Sequence, residues 1–184
     1  MTRNTVFVSY AHEDEAWKHR ISTQLRVLQQ QGLLKLWCDR DIGAGQDWFA
    51  EIDRNLQSAK LALLVISADF LASEFVASQE VPRLLKQHEK AGMRLFPVLV
   101  RDCDWQAVRW LARLQMRPID ARPLAEFPKS RMDRELANVA REVRAHLSSV
   151  VVVRSRARPN NALKLTSPAK RTTVSKRRSN VARG

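Results

Sequence analysis

The chain has 184 residues, 45% of them hydrophobic, which is enough to bury one substantial core. It holds no run of about 18 apolar residues and no basic-then-apolar leader, so neither a membrane span nor a secretory signal is expected. Cys38 and Cys103 are too few and too far apart for a disulfide framework or a four-ligand metal site, and suit free thiols in a reducing cytosol. The net charge of +13 is unevenly spread: residues 150–184 take ten of the 32 Lys and Arg and none of the acids, leaving 22 bases against 19 acids in residues 1–149. A domain that is basic throughout, as nucleic-acid binders are, is thereby excluded for the first 149 residues.

In chain order, Val6 to Val8 is an apolar, β-branched and aromatic run that reads as a strand buried on both faces. It turns polar at Ser9, Tyr10, Ala11 and His12, and a helix pattern follows over residues 15–31, with Trp17, Ile21, Leu25 and Leu28 on one face and Gly32 as its stop. A buried strand feeding a helix through a short polar loop is half of a βα unit, and ligands of open parallel sheets bind at the carboxyl ends of such strands. A second strand over 34–38 leads into a loop rich in Gly and Asp, 39–47. Asp47 is placed to cap a helix that carries Trp48, Phe49, Ile52 and Leu56 on one side.

Residues 61–66, Leu-Ala-Leu-Leu-Val-Ile, form the most apolar run in the chain and predict a central strand. A helix over 79–90 follows, with Val81, Leu84, Leu85 and His88 on one face, Ser78 as its expected cap and Pro82 tolerated in its first turn. A fourth strand spans 94–100 despite Pro97. Trp105, Val108, Leu111 and Ala112 suggest a short helix, residues 116–119 a brief edge strand, and 131–147 a last helix with Leu136, Val139, Ala140, Val143 and Leu147 inward. Five βα repeats of this size imply an α/β, flavodoxin-like three-layer sandwich with a five-stranded parallel sheet, order 2-1-3-4-5. The division expected is a domain over 1–149 and a basic, disordered tail over 150–184.

Val6-Phe-Val-Ser-Tyr-Ala-His-Glu-Asp14 resembles the first signature box of the Toll/interleukin-1 receptor (TIR) domain family in its bacterial form. Leu36-Trp-Cys-Asp-Arg-Asp-Ile-Gly-Ala-Gly-Gln-Asp-Trp48 resembles the second strand and BB loop. Residues 59–73 resemble the third strand and its exit, and Arg94-Leu-Phe-Pro-Val-Leu-Val100 the fourth, whose proline is a habit of the family. Four boxes in register over residues 6–147 make the resemblance specific.

The resemblance implies one of two functional classes. Many bacterial and plant TIR domains are NAD⁺ glycohydrolases that cleave the nicotinamide–ribose bond to ADP-ribose or a cyclic isomer; others are non-enzymatic modules that assemble TIR to TIR. The enzymes use one glutamate at the start of the third helix, and Glu80 stands at that place. One carboxylate suffices, because nicotinamide leaves a pyridinium as a neutral molecule while the ribose gains oxocarbenium character. With Ser78 as cap, Glu80 would lie in the first turn, where the helix dipole favours its ionised form. A dipole-complementing surface Glu is the plainer reading. Several family enzymes carry a tryptophan four residues before the glutamate; here that position is Val76, and the nearest aromatic is Phe75, five residues before.

Ser9, Tyr10, Asp39, Trp48 and Phe75 are the candidates for lining the cleft, with His12 at the same pole. Gly43 and Gly45 match no phosphate-cradling fingerprint. In the family their segment is the interaction loop, with Ile42 as its exposed apolar contact. No metal site is expected, and NAD⁺ enters as substrate rather than cofactor. The implied partners are NAD⁺ and other TIR domains, with the tail open to weak contact with nucleic acid or an anionic surface. The implied setting is cytoplasmic signalling or defence.

Overall fold

The computed structural model describes residues 4–156 except 39, 40, 43, 44 and 46, with the backbone alone at Trp48 and at 150–156. Strands β1 (Asn4–Ser9), β2 (Leu34–Trp37), β3 (Ala59–Ile66) and β4 (Arg94–Leu99) form one parallel sheet in the order β2-β1-β3-β4. Helices α1 (Glu15–Gln30) and α5 (Lys129–Arg156) cover one face. The other is covered by α2 (Trp48–Ser58), the short α3 (Ala68–Ala72) and α4 (Val81–Ala91).

Strand alternation builds this three-layer arrangement. Val6, Val8, Leu61, Leu63, Val65, Phe96 and Val98 point to the α1/α5 side and meet Ile21, Leu25, Val139 and Val143. Phe7, Ala62, Leu64, Ile66, Leu95 and Leu99 point the other way and meet Ile52, Leu56, Phe70, Val81 and Leu84. Every residue from Leu61 to Ile66 is fully buried, as its unbroken apolar run requires of a central strand. Gly32 takes φ 70° just past α1, where its amide donates to Gln29 and that of Leu33 to Leu28, a Schellman ending that glycine alone adopts without strain. Asp47 caps α2 as expected, accepting from the Ala50 amide at 3.1 Å.

Four expectations change. The sheet has four strands: a fifth is reduced to a single bridge, where Leu99 donates to Arg117 and Arg117 to Pro97. Pro97 itself is tolerated because its missing donor lies on this outer edge of β4 rather than toward β3. The single helix expected near Trp105 is two 3₁₀ turns, Trp105–Ala107 and Leu111–Arg113. Phe49 does not join the inner face of α2 and is 53% exposed. Finally, α5 runs on to Arg156, so helical backbone crosses the boundary placed at residue 149. The rest of the expected tail, 157–184, lies outside the described residues.

Candidate functional site

Ser9 is the last residue of β1 and shares the parity of Phe7, so its side chain falls on the α2/α4 side of the sheet. There its hydroxyl donates to the Glu80 carboxyl group at 2.5 Å, a short hydrogen bond. Both residues are buried, Ser9 at 1% and Glu80 at 3% exposure, and 71 positions of sequence separate them. A carboxylate removed from water needs such donors, since an uncompensated one would neutralise or unfold the site.

The backbone that carries Glu80 is unusual. Helical structure begins at residue 74, not 79, and its cap is Ser73, whose Oγ accepts from the Val76 amide at 3.3 Å. Ser78, the expected cap, is an exposed residue inside a π-turn, Val76–Glu80, in which the Val81 amide reaches back five residues to the Val76 carbonyl. Pro82 follows directly. Its ring would crowd the Ser78 carbonyl in a straight α-helix, and a wider turn just before it moves that carbonyl aside. The π-turn takes up one more residue than an α-helical turn would. Phe75 stands at the N-terminal edge of this turn and is 39% exposed. Because Glu80 lies in the second turn of the continuous helical stretch, the first-turn dipole argument no longer applies to it; that effect fades within one turn.

A second polar cluster lies at the same pole. Asp14 is fully buried and accepts from Arg101 at 3.1 and 2.7 Å and from the Ser67 hydroxyl. Arg101 also pairs with Asp69, and the two carboxylates raise its guanidinium pKa above the ordinary value. Ser67 in turn caps α3 through the Phe70 amide at 3.0 Å. This network ties the exits of β1, β3 and β4 together at the same end of the sheet as Ser9. Sequence reading missed it. Its only signal was a set of charged residues immediately after three apolar strands.

Comparison with known proteins settles the family. The TIR domain model matches residues 6–137, well over half of the chain. The chain belongs to the TIR domain family.

The uncharacterized protein y4lF of Sinorhizobium fredii is 33% identical over 165 residues, covering 90% of this chain but 50% of its own length. The TIR domain heterodimer of RPS4 and RRS1 superposes with a TM-score of 0.50 at 15% identity, covering 79% of this chain and 99% of its own. The TIR domains of the activated Roq1 resistosome give 0.47 at 20% identity, covering 82% and 98%.

On this TIR fold the expected site residues divide. Ser9 and Glu80 meet, and Phe75 stands at the edge of the same turn. Tyr10 does not join them: one residue past Ser9 it takes the opposite parity, packs with the α1/α5 cluster, and donates its hydroxyl to Glu15 at 2.6 Å beneath Lys18. His12 is exposed in the 3₁₀ turn His12–Asp14. Asp39, Gly43 and the side chain of Trp48 fall outside the described residues. Gly45 is exposed at φ 82°, a conformation that suits glycine. Ile42 is half-buried against the α2/α4 cluster rather than fully exposed. Among the described residues no three His, Cys, Asp or Glu side chains converge as a metal site would require, and no helix is long and apolar enough to cross a membrane.

Proposed function

We propose that this TIR domain cleaves the nicotinamide–ribose bond of NAD⁺, with Glu80 as the catalytic carboxylate. The observation that supports it is the Ser9–Glu80 pair, a buried carboxylate held at the carboxyl end of a central strand, where ligands of parallel sheets bind. Glu80 faces the developing positive charge on the ribose as nicotinamide leaves neutral, and no general acid is needed. Ser9 fixes the carboxylate's rotamer so that little reorganisation accompanies charge development. The product is ADP-ribose or its cyclic isomer, according to whether water or the adenine takes the ribose carbon.

At 3% exposure Glu80 has to be uncovered before a ribose can reach it. Self-association supplies a gate: Ile42 packs on the cluster that shelters Glu80's helix, and pulling it onto a neighbouring TIR domain would open that side. The cytosol is the proposed setting, in keeping with Cys38 and Cys103 lying outside any disulfide. The same burial favours a second reading, a non-enzymatic TIR–TIR module in which Glu80 only braces the fold. The experiment is to incubate the full chain with NAD⁺ over a wide range of protein concentration and measure free nicotinamide. Release that rises per molecule with concentration supports the gated enzyme; none at any concentration leaves the interaction module.

A further inference from the structure

α5 turns its apolar residues Leu136, Val139, Val143 and Leu147 into the core, which leaves a solvent line through Ser130, Arg134, Asn138, Arg141, Ala145 and Ser148. Arg134 and Arg141 on that line, and Arg144 beside it, are all exposed. Among the described residues none of the three is in an ion pair, although Lys129, Arg131, Arg117 and Arg122 nearby each hold a carboxylate. Arg141 bonds only the neutral Asn138. The acids of this helix lie to the flanks, with Glu142 taken by Arg117, Asp133 by Lys129, and Glu135 accepting from Asn138 at 3.1 Å. A cationic line thus runs along the outside of the helix, spanning about 15 Å from Arg134 to Arg144 at 1.5 Å per residue. The sequence beyond it adds ten Lys and Arg and no acid over residues 154–184.

We infer that the outer face of α5 binds the phosphate backbone of nucleic acid without reading its sequence. The chemistry is charge neutralisation with counterion release, which needs closely spaced cations free of protein partners and no apolar contact. An anionic bilayer would use the same charges, but a helix that lies on a membrane also offers an apolar face, and that of α5 is spent on the core. The surface lies on the α1/α5 side of the sheet, away from Glu80, so this inference does not rest on the enzymatic reading.

The test uses the full chain and a fluorescein-labelled 20-base-pair DNA duplex of arbitrary sequence, titrated from 50 to 200 mM salt. The expected log–log slope for six or more phosphate contacts is about −5 or steeper, the same for a second, unrelated duplex. The triple variant R134Q/R141Q/R144Q should lose about 2.7 from the slope, so that its affinity falls about 40-fold less across that salt range. The triple R26Q/K35Q/R109Q removes the same charge from exposed sites elsewhere and should change the slope little. The inference is overturned by a parent slope shallower than about −2, by an α5 triple that binds as the parent does, or by a control triple that loses as much. It is also overturned by phosphatidylserine vesicles that capture the protein and that excess duplex does not displace.

Discussion

The two sides of the sheet are built to different rules. On the α1/α5 side the helices are regular and long, and a groove of about 630 Å³ between them is lined by ordinary surface residues such as Thr23, Gln24 and Lys129. On the α2/α4 side, beside the regular α2, the covering structure is broken into a five-residue helix, a π-turn and a helix that begins at Glu80's heels. The buried carboxylate sits on the broken side. Glu80 lies in a π-turn, an irregularity frequent at functional sites.

The comparison can be broken most forcefully in the core. Leu25 is fully buried on the regular side, and Leu25→Ala should cost about 2–5 kcal/mol, read as a lower urea midpoint. Activity per folded molecule should hold; its collapse in a variant that is still folded would mean that the two sides are not separable. Next comes the polar network at the strand ends. Asp14→Ala strands the Ser67 hydroxyl while the half-exposed Arg101 can turn to water, so a loss of about 1–3 kcal/mol is expected, with looser positioning of Ser9 against Glu80.

Much of the regular side was legible beforehand. The spacing of Ile21, Leu25 and Leu28 named the inner face of α1, and Gly32 named its end, because both are local signals. The broken side was harder to read. Ser78 reads as the cap because it precedes apolar helical spacing, a reading that passes over Ser73, and only the conflict between Pro82 and the i−4 carbonyl of Ser78 hinted at the π-turn. Tyr10 was grouped with Ser9 because a strand buried on both faces hides its own alternation, although Val6 and Val8 carry the parity that separates them. The pairing of Asp14 with Arg101 spans 87 positions and leaves no local trace. The fifth strand stopped at one bridge, at Arg117, which the apolar pattern of residues 116–119 did not reveal.

Smaller effects sharpen the contrast further. Ser73→Ala removes the cap of the stretch that carries Glu80 and should cost about 1 kcal/mol. Being on the broken side, it should reduce nicotinamide release more than Leu25→Ala does per folded molecule. The smallest expected effect is on pH. Burial, helped by Arg94, lowers the His146 pKa, and its Nε2 is buried without a hydrogen-bond partner. The folded state then binds fewer protons than the unfolded one, so stability is lost as pH falls below the unfolded value of about 6.5 and levels off below the folded one. His146→Gln should flatten that part of the melting curve against pH; an unchanged slope would exclude His146 as its source.

The account turns on Glu80 acting chemically rather than bracing the fold. Concentrated wild type and Glu80→Ala should be incubated side by side with NAD⁺ and assayed for free nicotinamide, with each variant's folded fraction fixed by circular dichroism. The prediction is release by the wild type and less than a tenth of that rate from the folded variant, a barrier increase of more than about 1.4 kcal/mol. A folded Glu80→Ala protein that releases nicotinamide at the wild-type rate would contradict the assignment.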